Sequence, residues 1–187
     1  MGFVDATGGV DSCVDCGFAL WEPIAASTHS RLGLYNDDRF PGRCILMFRD
    51  HFESLDQLPM DSTLGFVRDI QLATRAIKKA TGAARVNISL LGNRDPHLHA
   101  HLVPRFPHLE QFPDSSPWND LRVKDVLSAE RVELVKGEIL DSLLGAETRV
   151  PTRWRAGASA GALDDLARGS QGACRAEQLE LFSSSSN

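Results

Sequence analysis

Between residues 62 and 82 apolar side chains return at every third or fourth position, as Phe66, Val67, Ile70, Ala73, Ile77 and Ala80. That period is the stripe of an amphipathic helix. Asp61 or Ser62 supplies a starting cap, Lys78 and Lys79 suit the last turn, and Gly82 the stop. A second stripe, Val132, Val135, Ile139 and Leu143, predicts a helix from about Ser128 to Leu144 before Gly145. Shorter apolar runs lie elsewhere. Residues 30–48, SRLGLYNDDRFPGRCILMF, read as strand, turn, strand, with Asn36-Asp37-Asp38 and Pro41-Gly42 as the turn chemistry. RVNISLL (85–91) reads as a strand, GNRDP (92–96) as a turn, and 97–103 as another strand. The sum is an α+β domain: an antiparallel sheet of about five strands, one main helix and a C-terminal helix. Residues 1–12, rich in Gly and Asp, read as a flexible N-terminus. Residues 13–145 form the domain, and 146–187, dominated by Gly, Ala, Ser and charge and ending SSSSN, read as a low-complexity disordered tail.

The last predicted strand carries PHLHAHLVPR. Half of the chain's six histidines stand here at alternate positions. On a strand His97, His99 and His101 share one face, neighbours about 6.5–7 Å apart, while Leu98, Ala100 and Leu102 face the core. The plain alternative is a surface strand that happens to be rich in histidine. An expression tag is excluded by the internal position and the interleaved apolar residues.

The chain has 187 residues, 42% of them hydrophobic, an ordinary globular value. Its net charge of −5, without a Lys/Arg cluster, excludes a long nucleic acid as partner. A small anion is still admitted, because backbone N–H groups cradle phosphate whatever the net charge. No apolar run approaches the roughly 20 residues a membrane span needs. The N-terminus has no signal-peptide pattern, and Ala6 stands where myristoylation wants Ser or Thr. The expected location is cytoplasmic, where disulfides are rare. Cys13-x-x-Cys16 by itself reads equally as a redox pair, a metal knuckle or chance. A closed structural zinc site needs four ligands, and two Cys with two His is a common set. Cys44 reads as core, and Cys174 lies in the tail without a suggested partner. His29 and His108 have no spacing that argues for chemistry. Trp21 and Trp118 are candidates for a base pocket, with packing the simpler reading, above all for Trp21.

HLHAHLV followed by Pro104-Arg105 resembles the signature of the histidine triad (HIT) family. The resemblance extends to FPGRCILMFRDHFESLDQL (40–58), to SLLGNRDPHLHAHLVPR, similar to a branch with Leu-Gly-Asn before the triad, and to SPWND (116–120). It covers roughly residues 13–144 and implies the HIT-like fold.

The resemblance also implies a nucleotide hydrolase. His99, the middle histidine, would attack the α-phosphorus of a nucleoside phosphate derivative, a dinucleoside polyphosphate or a phosphoramidate, and form a nucleotidyl-histidine. His101 would serve the phosphoryl or leaving-group oxygen. Neutral imidazole, with an unperturbed pKa of about 6.5, is a competent nucleophile at neutral pH. The alternatives are a nucleotidyl transferase or phosphorylase with phosphate as acceptor, and a zinc-stabilised nucleotide-binding module without turnover. Asn36 falls where the family holds the ribose hydroxyls, with a turn asparagine as the competing reading. Asn93 stands in a loop that replaces the family's Gly-Gln-Ser/Thr by Gly92-Asn93-Arg94-Asp95, where Arg94 would face a distal phosphate. His51 and His97 fall where zinc-bearing members complete the Cys13 and Cys16 ligand set, so the implied cofactor is structural zinc. A homodimer through the main helix and the adjacent strand is implied as well.

Overall fold

The computed structural model describes residues 2–7 and 12–145. What was read in 146–187, Cys174 included, lies outside the described residues. The elements run β1 (Val4–Asp5), β2 (Glu22–Ala26), β3 (Ser30–Leu34), β4 (Cys44–Phe48), α1 (Met60–Thr81), β5 (Arg85–Ser89), β6 (His99–Arg105) and α2 (Ala129–Leu143). Single 3-10 turns lie at Leu55–Gln57 and Pro117–Asn119. The six strands form one sheet in the order β1-β2-β3-β4-β6-β5, with antiparallel pairing throughout. The α+β architecture is therefore as read from the sequence, with six strands in place of about five.

Two strands had no clear signature. β1 is two residues long, and β2 carries Pro23 beside a register shift between Pro23 and Ala25. A proline that cannot donate and a bulge that breaks alternation hide a strand from a period-two reading.

α1 begins at Met60 behind Pro59, so Asp61 lies in its first turn and neither Asp61 nor Ser62 is the cap. Gly82 ends it in the left-handed conformation, its N–H bonded to the Lys78 carbonyl at 3.0 Å. Phe66, Ile70, Ala73, Ile77 and Ala80 are buried, whereas Val67, counted with that face, is 50% exposed. At α2 the Ser128 hydroxyl accepts from the Arg131 N–H, as a cap should.

α1 packs across β3, β4, β5 and β6, α2 packs on β2, and the helices touch each other. β4 is buried along its whole length. Its Phe48 meets Phe66 of α1 edge to face at 5.5 Å, so Cys44, Leu46 and Phe48 look toward the helices. Each such fully buried side chain contributes about 1.5–3 kcal/mol. Ile45 and Met47 point to the opposite face, where Leu20, Phe18 and Tyr35 cover them. Gly33 makes that cover close: a Cβ there would stand 2.9 Å from the Leu20 Cβ. The sheet thus has a helix side and a second side roofed by the N-terminal segment, and the histidines lie under that roof.

Candidate active site and metal cluster

β6 begins at His99, not at His97. His97 sits in the bend before the strand, its N–H bonded to the Asp95 carbonyl at 2.8 Å. The single seven-residue strand read from the sequence is therefore a bend followed by a strand. The face is shared all the same. His99 pairs with Met47 and His101 with Ile45, and the Phe18 ring stacks on both His97 (5.3 Å) and His99 (4.8 Å).

Backbone carbonyls set the proton on two of the three rings. A carbonyl only accepts, so the ring nitrogen facing it carries the hydrogen. His97 donates from Nε2 to the Phe48 carbonyl at 2.8 Å, which leaves the lone pair on Nδ1. His99 donates from Nδ1 to the His97 carbonyl at 2.7 Å, which leaves the lone pair on Nε2. Among the described residues His101 has no such acceptor, and its Nδ1 is buried without a partner. Burial, then His99 and the Arg43 guanidinium, push its pKa down to about 4 against an opposing pull from Asp95. The ring is neutral at pH 7.

The free Nδ1 of His97 faces the Cys16 Sγ at 3.5 Å, and the His51 Nδ1 faces the Cys13 Sγ at 3.7 Å. One donor atom from each of these four residues lies within 4.8 Å of every other. Cys13 and Cys16 flank a tight turn in which the Gly17 N–H bonds the Cys13 carbonyl at 2.9 Å. Gly17 sits at φ +73°, a conformation glycine adopts without strain. Burial keeps His97 short of its usual proton affinity, and a ligating imidazole must be neutral. Two sulfurs, two imidazole nitrogens and a carbonyl that orients one ring from behind are a donor set that fits zinc. By contrast Cys44 is wholly buried on the helix side, where burial pushes its thiol pKa up and leaves it inert.

A cavity of about 410 Å³ opens beside the histidines. His99 and His101 form its floor with Ile45, Phe18 and Leu20 line one wall, Trp21 and Tyr35 another, and Arg94 and Asp95 stand at the pre-triad loop. Trp21, read as packing, is 61% exposed and stacks on Tyr35 at 4.9 Å. Asn36 and Asn93 are not among the lining residues. The Asn36 side-chain oxygen accepts from the Leu127 N–H at 2.7 Å, and Asn93 lies exposed in its loop.

The turn between β3 and β4 carries a buried ion triad that no local pattern announced. Asp37 binds Arg39 Nε at 2.9 Å and Arg43 Nη1 at 2.8 Å. Burial opposes its ionisation, but the two guanidiniums outweigh that and hold the carboxyl below its usual range. This turn is also a rail for the segment between β6 and α2. Arg122 Nη2 donates to the Arg39 carbonyl at 3.0 Å, Asp125 N–H to Asp38 Oδ1 at 3.0 Å, and Lys124 Nζ to the Tyr35 hydroxyl at 2.9 Å. So held, Trp118 lies edge-on to His101 at 5.2 Å and over the Arg43 guanidinium at 4.9 Å. Phe18, Tyr35, Arg43 and Lys124 are the site-wall residues that sequence reasoning missed. Phe18 and Lys124 meet partners tens of residues away in the chain, and among the aromatic residues only Trp21 and Trp118 were candidates.

Among solved structures the chain is similar to a histidine triad protein from Sinorhizobium meliloti, with 26% identity, 65% of this chain and 88% of that one covered, and a TM-score of 0.59. A histidine triad protein from Marinobacter aquaeolei matches at 21% identity, covering 66% and 89%, with a TM-score of 0.59. A hypothetical histidine triad nucleotide-binding protein from Sulfolobus tokodaii matches at 17%, covering 66% and 83%, with a TM-score of 0.53. No family model and no curated protein matches the chain. Fold and motif together define the class: they support the histidine triad family. That likeness is to the family as a whole and not to its Leu-Gly-Asn branch in particular. Among the described residues no helix is long and apolar enough to cross a membrane.

Proposed function

We propose that this protein is a nucleotide hydrolase that works through a nucleotidyl-His99 intermediate, on a dinucleoside polyphosphate or a nucleoside phosphoramidate. The observation that carries the reading is the hydrogen bond from His99 Nδ1 to the His97 carbonyl, which reserves the Nε2 lone pair for attack. His99 Nε2 bonds the α-phosphorus, the bond from phosphorus to the leaving group breaks, and the leaving group departs with the bonding electrons, stabilised by a hydrogen bond from the neutral His101 ring and protonated by water. Water then attacks the same phosphorus, the bond from His99 Nε2 to phosphorus breaks, and the water's proton passes to solvent. The nucleoside monophosphate leaves and His99 is restored. The base occupies the apolar cavity by Phe18 and Leu20. Asn36 is assigned to the ribose and Asn93 to the phosphates, although neither lines the cavity.

Cys13, Cys16, His51 and His97 hold the zinc in this reading. Four protein ligands leave it no open position, so its chemistry is structural: it ties the N-terminal segment, and with it Phe18, to the histidine bend. A reducing, cytoplasmic location keeps both thiols available. The molecule pairs as a homodimer through α1, whose Leu64 and Val67 are exposed, and the edge strand β5. Sedimentation should give twice the chain mass, and a monomer at micromolar concentration removes that part.

The deciding experiment is a rapid quench with nucleotide labelled at the α-phosphate. Labelled protein in wild type and none in His99→Ala is expected. Full turnover in that variant would refute the assignment. Inorganic phosphate added to the reaction separates water from phosphate as acceptor, since a phosphorylase would release nucleoside diphosphate.

A further inference from the structure

We propose that Arg43 is a positioning residue for this reaction: its guanidinium, wedged between Tyr35 and Trp118, keeps the His101 proton on Nε2, the nitrogen open to the cavity. The inference rests on the reading of His101 as hydrogen-bond donor to the leaving group.

Arg43 immediately precedes β4 and projects to the same face as Ile45, the residue paired with His101. Its guanidinium centre lies 4.1 Å from the Tyr35 ring centroid and 4.9 Å from that of Trp118, and Asp37 fixes its tip. The residue is 5% exposed. Among the described residues two buried polar atoms on this wall have no hydrogen-bond partner, Arg43 Nε and His101 Nδ1. Both belong to residues that touch Trp118.

An imidazole chooses its tautomer by what each nitrogen meets. At His99 a carbonyl takes the Nδ1 proton. At His101 nothing accepts one, and the neighbouring arginine offers only N–H donors and positive charge. A lone pair at Nδ1 suits that wall, whereas an N–H there would be both unpaired and repelled. The proton is left on Nε2, where it is donated as a hydrogen bond to the leaving group. The charged and titratable groups acting on His101 are His99 on its own strand, Arg43 beside β4 and Asp95 of the preceding loop. Arg43 is the one of these that the Asp37 pair and two aromatic faces hold immobile. Adjacent histidines thus carry opposite tautomers for different reasons, a backbone acceptor at one and a buried cation at the other.

The test is two-bond proton–nitrogen spectroscopy of the full-length, zinc-loaded, nitrogen-15 histidine-labelled protein near pH 7.5, with turnover measured alongside. Wild type should show His101 as the Nε2–H form and His99 as the Nδ1–H form. Arg43→Lys keeps a charge for Asp37 but loses the flat stack and Nε. There His101 should become a tautomer mixture, with kcat down about tenfold and KM within about twofold. Trp118→Leu, at an exposed site that leaves the Asp37 pair intact, should shift the same resonances and decides the matter should Arg43→Lys not fold. An Nδ1–H form at His101 in wild type, or unchanged His101 signals in the folded variants, overturns the proposal. The spectra need no substrate. A wild type with the expected tautomers and no turnover of any nucleotide would sink the hydrolase reading and leave only the tautomer assignment standing.

Discussion

His97 and His99 are two residues apart, stack on the same phenylalanine and each donate one ring N–H to a backbone carbonyl. They differ in which nitrogen donates. His97 spends Nε2 and turns Nδ1 toward Cys16, while His99 spends Nδ1 and keeps Nε2. One ring thereby faces the two cysteines, and the other keeps a free lone pair beside a cavity. Neighbouring copies of one residue type take separate duties because the chain places a carbonyl behind a different atom of each. His101 shows a third solution, with no carbonyl at all.

Four measurements break or sharpen that contrast. The largest effect is expected at the nucleophile. His99→Ala should lower turnover by at least about 10³-fold with zinc content and melting temperature near wild type. A comparable loss of metal would show that the two rings are not separate in function. Next comes the ligand side. Cys16→Ala, or chelation, should remove the metal and lower the melting temperature by about 10 °C, the order expected for losing a few kcal/mol. Elemental analysis and calorimetry check it, and unchanged stability would leave the cluster without a structural role.

The ion triad gives a smaller effect. Asp37→Asn should cost about 2–4 kcal/mol by urea unfolding at pH 7, since Arg43 is left buried with half a partner. The folded carboxyl lies below 3.8, so its stabilisation is complete above that pH and disappears as the pH falls through the folded value. The variant should therefore converge on wild type at the acid end. The smallest is at His101. With a folded pKa of about 4 against 6.5, the unfolded chain binds more protons between these values, so His101 makes stability fall as pH drops from about 6.5 to about 4. His101→Gln should flatten that part of the unfolding midpoint against pH. An unchanged slope would mean the ring is not held neutral.

The two long helices were legible because their apolar periods are uninterrupted, and the triad because alternation survives in the raw string. β1 and β2 were not, being too short or broken by Pro23. Cys13, Cys16, His51 and His97 were named from spacing and family likeness, and the fold brings them within reach of one another. The N-caps expected at Asp61 or Ser62 failed because the helix starts a turn earlier behind Pro59.

What the sequence alone determined is periodic or contiguous: the elements, their order, and three histidines on one face. Tertiary structure decided what no short string encodes. It chose which nitrogen of His97 carries the proton, because the Phe48 carbonyl meets that ring only when β4 and the bend before β6 lie together, whereas the His97 carbonyl that fixes His99 is two residues away and set by the bend itself. It also set Trp118 and Arg43 beside His101, a contact closed across the whole span from β4 to the segment before α2. Hydrophobic period is a local property of the chain, whereas a proton's address depends on the electrostatic field of groups that folding brings together.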